Sequence, residues 1–172
     1  MTSMLPFVEE SAQLVGVDPD DTDIVEHNGA RFTLGVIPAH EWEYIDAQKQ
    51  EAYKNAARRS IAVIAAAGNS PDEVVGTTAN GVQITVADLA THADREFREA
   101  SGRLYLQALK LGLRGHENFV NRKGKPFPFE RNADGTVADS TLRVYAANRD
   151  LVDMLYYRLR TINDFGTVGK KA

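Results

Sequence analysis

The run Ile24-Val25-Glu26-His27-Asn28-Gly29-Ala30-Arg31-Phe32-Thr33-Leu34-Gly35-Val36-Ile37-Pro38 decides how the fold begins. Two apolar-rich segments flank Asn28-Gly29, the pair that best tolerates the positive φ angles required at both centres of a type I′ hairpin turn. Phe32, Leu34 and Val36 alternate with other residues, so one face of the second strand is buried. Pro38 stops the strand and suits the start of a helix. Downstream, Ala39 to Ala67 holds neither glycine nor proline. Trp42, Ile45, Tyr53, Ala56, Ala57, Ser60, Ile61 and Ile64 recur mostly at three- and four-residue steps, which predicts one long amphipathic helix closed by Gly68-Asn69. Its middle, Gln48 to Lys54, is polar, leaving that part to project into solvent or to meet a partner.

Beyond this helix, residues 68–84 read as a connector with a second Asn-Gly turn at Asn80-Gly81 and short flanking strands. Thr85 is a natural N-cap, and Asp88 completes a capping-box pattern three residues later. Val86, Leu89, Ala90, Ala93, Phe97, Ala100, Leu104, Ala108 and Leu111 then predict a single helix ending at Gly112. Residues 113–137 contain no helical pattern. Phe119-Val120 and Phe127-Pro128-Phe129 flank the basic turn Asn121 to Lys125, which predicts a compact loop or irregular hairpin whose aromatics pack back on the helices. A last helix is expected from about Arg143 to Asp164, with Asn148 as an internal N-cap where it could break. The resulting class is α+β: one helix-rich domain over residues 23–165, with about three long helices and one or two short antiparallel β-hairpins. Residues 1–22 read as an arm with one helical turn near Phe7–Leu14, and residues 166–172 as a tail.

Composition bounds the chemistry. The chain has 172 residues, no cysteine and a net charge of −4. The absence of cysteine removes disulfides, thiolate nucleophiles and cysteine metal ligands together, and fits a reducing compartment. The N-terminus has neither the basic nor the apolar region of a signal peptide, and the longest apolar run, Ile61 to Ala67, is too short to cross a bilayer. These features predict a cytoplasmic protein without a membrane partner. The basic patches, Arg58-Arg59, Arg122-Lys123 with Lys125, and Lys170-Lys171, are small, so they read as solvated charge and no nucleic-acid partner is expected. Phe119, Phe127 and Phe129 around a basic turn could stack single-stranded bases; packing that anchors the loop is the simpler reading.

No nucleotide-binding, hydrolase-elbow or paired-histidine motif is present. Asp88 and His92 stand one helical turn apart, which suits two metal ligands, but no further ligand accompanies them. A hydrogen bond on the helix surface is the expected reading. The carboxylates Glu41/Glu43 and Asp94/Glu96/Glu99 read as exposed faces, although spacing alone leaves a glycosidase-type acid pair open. The expectation is therefore a non-enzyme with no catalytic residue, no cofactor and no metal. Trp42, next to the hairpin, reads most simply as core.

The stretch Gly112-Leu113-Arg114-Gly115-His116-Glu117-Asn118-Phe119-Val120-Asn121-Arg122-Lys123-Gly124-Lys125-Pro126-Phe127-Pro128-Phe129 resembles a segment of small proteins from the structural gene modules of tailed phages. There the pattern runs Gly-Leu-x-Gly-Trp, then Asp-x-x-Gly-x-Pro-x-Pro-Phe, then a final helix. Phe32-Thr33-Leu34 through His40-Glu41-Trp42 is similar to their strand and following helix. His116 stands where tryptophan is frequent, and Asn121 and Lys123 replace acidic turn residues. Many such proteins are described as tail assembly chaperones. The resemblance implies a non-catalytic protein of the host cytoplasm that binds other tail proteins, such as the tape measure, and self-associates. The surfaces it implicates are the helix over 39–67 and the loop over 113–129, with Trp42, Tyr53, Phe119, Phe127 and Phe129 as partner-binding residues. A permanent minor virion component (a connector or tail subunit) and a small inhibitor of a host defence system are alternatives.

Overall fold

The computed structural model describes residues 20–163. The expected arm lies outside them up to residue 19, as does the tail over 166–172. The opening hairpin forms as its sequence dictates. Strands β1 (Thr22–His27) and β2 (Ala30–Gly35) pair antiparallel with His27 opposite Ala30, and the turn places Asn28 at φ 51° and Gly29 at φ 81°. Ala30, Phe32 and Leu34 are buried while Arg31 between them is exposed. Helix α1 (Ala39–Ala66) follows, its first N–H groups bonding to the Pro38 carbonyl. Trp42, Ile45, Ala56, Ser60 and Ile64 form its buried edge.

Next come a two-stranded sheet, β3 (Val74–Thr77) and β4 (Gln83–Thr85), then helices α2 (Val86–Ala93) and α3 (Arg95–Gly112). Strand β5 (Leu113–Glu117) follows, and helices α4 (Asp139–Ala146) and α5 (Arg149–Ile162) end the described chain. The class is α+β, with two small antiparallel sheets. Five helices stand where about three were expected, because each of the two downstream helices is broken.

The first break is at Asp94. Its backbone is extended (φ −57°, ψ 127°), and its carboxylate accepts from the Phe97 amide at 2.9 Å, capping α3. The Arg59 guanidinium grips the same carboxylate through two nitrogens, at 2.7 and 3.2 Å. A capping aspartate held by α1 thus ends α2 and restarts the chain in a new direction. The restart shifts the buried face of α3 to Phe97, Ser101, Tyr105, Ala108, Leu109 and Gly112, and leaves Leu89 of α2 exposed. The second break is at Asn148. Its side chain donates to the Val144 carbonyl at 2.7 Å and makes no capping bond to α5.

Sheet order is β1-β2-β5, so a strand stands where a loop was expected at residues 113–117. It was obscured because Leu113-Arg114-Gly115-His116-Glu117 has only one apolar residue and two polar ones able to face a covered surface. One core joins all layers. Phe32, Leu34 and Ile37 from the hairpin meet Trp42 and Ile45 of α1, Leu109 of α3, Tyr145 of α4, and Leu155, Tyr156 and Leu159 of α5. Gly112 marks the tightest approach: a Cβ there would lie 2.5 Å from Leu159 Cδ2 and 3.1 Å from Ile37. Asn163, fully buried, accepts from the Ile37 amide at 2.8 Å and donates to the Leu159 carbonyl, tying the exit of β2 to the end of α5. The Arg114 guanidinium makes a second tie, donating to the Leu111 and Val36 carbonyls.

Candidate functional site

The three phenylalanines of the 113–129 segment converge on one residue, His116. Strand β5 sets His116 opposite Phe32 on β2, and Asn118, at φ 56°, turns the chain away from the sheet. The segment then closes on itself. The Asn121 side chain accepts from the Lys123 and Lys125 amides, and Phe127 N donates to Phe119 O at 2.9 Å. This is the irregular hairpin expected from the turn residues. His116 fastens it down. Its Nε2 lies 2.9 Å from the Phe127 carbonyl, which can only accept, so Nε2 carries the proton. Its Nδ1 is hydrogen-bonded to the Tyr145 hydroxyl at 2.7 Å. One imidazole joins the sheet, the loop and α4.

Around this ring the aromatics meet mostly edge to face, the favoured geometry for neighbouring rings. Ring centroids are 5.3 Å apart for His116–Phe119 and 5.1 Å for His116–Phe129, while Phe119–Phe127 at 5.0 Å is tilted. Phe119 also reaches Phe32 at 5.6 Å and Tyr145 at 5.5 Å. Burial pushes the Tyr145 hydroxyl well above the usual phenol range. Phe119, Phe127 and Phe129 are half-buried, and Val120 beside them is 45% exposed. An open cleft of about 470 Å³ adjoins the cluster, between the β1–β2 turn, Asn118–Val120 and the start of α5. Asn28, Asn118, Asn148 and Asp150 give it polar edges, and Phe32 and Phe119 an apolar floor. Arg122, Lys123 and Lys125 stand exposed on the adjacent turn.

The other two expected docking residues belong elsewhere. Trp42 is 8% exposed and stacks on Tyr156 at 5.8 Å. It is a core residue, packed in the same cluster as Ile45, Tyr105 and Tyr156, and as a partner-facing residue it is corrected. Tyr53 is half-buried where α1 meets α2 and α3. Its hydroxyl donates to Asp88 at 3.2 Å, and its ring meets His92 and Phe97, each at 5.7 Å. The expected Asp88–His92 hydrogen bond is replaced by this arrangement. One Asp88 oxygen caps the Thr85 amide and hydroxyl, the other takes Tyr53, and His92 packs as a ring. The Thr85 hydrogen bonds hold the Asp88 carboxyl below its usual range. Among the described residues, no three histidine, aspartate or glutamate side chains gather as a metal site requires.

Sequence reasoning missed His116 and Tyr145, the two residues that organise the cluster. A buried strand partner for Phe32 was the signal available, and it was hidden by reading residues 113–117 as loop. No protein-family model matches the chain, and comparison with curated proteins and with solved structures likewise returns no match. Among the described residues, no helix is long and apolar enough to cross a membrane.

Proposed function

We propose that the chain is a non-catalytic assembly protein that docks other proteins through its 113–129 segment, in the manner of phage tail assembly chaperones. One observation carries the docking role. Three phenylalanines and Val120 are presented on a loop whose backbone is fixed at both ends, beside an open cleft with an apolar floor and polar edges. Half-exposed aromatics on a pre-ordered frame suit an interface, since little conformational entropy remains to be lost on binding. The turn's three cations add attraction for an acidic partner segment, chiefly in the rate of encounter. The assignment to tail assembly rests on the resemblance of Gly112–Phe129 to the phage segment. In this role the chain covers apolar surface of an aggregation-prone tape-measure protein and leaves before the particle is complete.

The test is a binding titration of the full chain against tape-measure fragments from the same genome. Saturable binding at about micromolar concentration, weakened at least about tenfold by Val120→Asp with unchanged melting, supports the reading. Absence of binding, or binding indifferent to Val120→Asp, ends it. Finding the chain as a stoichiometric component of purified particles would instead favour the permanent virion subunit.

A further inference from the structure

The three-stranded sheet ends at β1. Among the described residues, β1 pairs with β2 alone, and β2 takes β5 on its other side. The two-residue turn fixes which backbone groups are left over. It makes His27–Ala30 a pair that exchanges both hydrogen bonds, and the alternation of an antiparallel ladder repeats this at Val25–Phe32 and Asp23–Leu34. The N–H and C=O groups of Thr22, Ile24 and Glu26 therefore point away from the sheet. Beside them runs an open groove of about 440 Å³, with Val25 on one wall and Met154, Tyr157 and Thr161 of α5 on the other. Ile24 is 50% exposed and Tyr157 54%. The charges along this edge have one sign. Residues 20–27 include Asp20, Asp21, Asp23 and Glu26 and neither lysine nor arginine. Arg158 on α5 is bonded to Asp23 at 2.6 Å, and Arg31 divides between Glu26 at 3.4 Å and Glu117 at 3.2 Å.

We propose that this edge takes an extended, basic peptide segment of a partner protein as a further strand, seated between β1 and α5. The outward backbone groups select an extended chain, because only a strand presents its own N–H and C=O groups at the matching two-residue spacing. The acidic edge selects a basic strand, and it disfavours a second copy, whose β1 would bring two acidic edges together. Alternate side chains of the added strand lie on opposite faces. Lysines beside Ile24 and Glu26 lay their aliphatic stems on Ile24 and carry their charge to Glu26 and to the Asp20-Asp21 end. Apolar residues between them fall on the Val25 face, against Met154 and Tyr157. This edge is separate from the 113–129 segment, and the inference does not depend on what that segment binds.

A capped hexapeptide alternating lysine and valine, titrated into the full chain and followed by amide hydrogen exchange, tests the proposal. Saturable binding with a dissociation constant of about 10–100 µM is expected. Exchange should slow at Ile24 and Glu26 and change little at Asp23 and Val25, which β2 already protects. The same peptide methylated at its lysine amides keeps every charge and loses the donors, and should bind at least about tenfold more weakly. Ile24→Pro removes an outward N–H and no bond to β2, a change that edge strands tolerate, and should weaken binding at least as much with little change in Tm. Glu26→Lys, at an exposed position, should also weaken binding, and by less at high salt. No saturable binding up to about 1 mM, equal binding of the methylated peptide, or indifference to both substitutions overturns the proposal. So does exchange at Ile24 and Glu26 in the free chain as slow as at Val25, which would show the edge already covered.

Discussion

His116 does its structural work with two ring nitrogens, and each has a definite partner. Replacing it by alanine strands the buried Tyr145 hydroxyl and frees the Phe127 carbonyl. We expect His116→Ala to cost about 1–3 kcal/mol in urea unfolding, beyond the loss of packing, because an unpaired buried hydroxyl bears its full desolvation cost. Tyr145→Phe should cost about 1 kcal/mol, and the double variant less than the two singles together, since both remove one interaction. Asn163→Ala should cost a similar 1–3 kcal/mol, about the penalty for leaving the Ile37 amide buried without an acceptor. Lys49 behaves oppositely. Its ammonium lies 5.0 and 4.7 Å from the Tyr105 and Tyr156 ring centres. Those rings stack only 3.8 Å apart, so the charge sits beside the stack, with the Tyr157 ring centre 5.6 Å away. Burial, reinforced by Arg160, holds its pKa below the usual lysine value. A lysine lowered in this way costs stability below its folded pKa, and the cost shrinks as pH rises from there and is gone above the unfolded lysine value. Lys49→Met should therefore raise Tm at neutral pH. None of these contacts was legible in the sequence, which marks buried positions by period but cannot say which polar atoms meet across distant segments.

The elements were most legible where one local signal dominated. The Asn28-Gly29 hairpin and the Thr85–Asp88 capping box appear as read. The run from Val86 to Gly112 misled because its apolar spacing is nearly continuous across Asp94. What breaks it is a tertiary contact, the Arg59 guanidinium, added to a capping propensity that is weak alone. Asp94→Asn keeps the cap and should retain most of the melting temperature, while Asp94→Ala loses cap and partner together and should melt measurably lower. If the two variants melt alike, the cap contributes nothing. Strand β5 was illegible for another reason. It is a second partner to β2, held by sheet pairing and by His116, and carries almost no alternation of its own.

Across the whole molecule, several surface carboxylates are held below their ordinary pKa. Hydrogen bonds from Thr85 dominate at Asp88, from Arg59 at Asp94, from Arg95 at Glu99 and from Thr136 at Asp134. A carboxylate lowered on folding adds stability that is present above its unfolded pKa, near 4, and is lost as pH falls through the folded value. Stability should thus be flat toward neutral pH on their account and decline below about pH 4, as a series of urea midpoints would reveal; a midpoint unchanged down to pH 2.5 would contradict it. The α+β class was readable because each element buries one face. The joining of β5 to β2 was not, because it spans positions as far apart as Arg31 and Glu117, 86 residues. That separation also sets an order of events. The opening hairpin needs only a two-residue turn and can form within microseconds, but its inner edge must wait for three helices and a small sheet to be laid down. Sheet completion is therefore a late step, and the phenylalanine loop, which hangs from that final strand, acquires its shape only when the rest of the chain has already found its place.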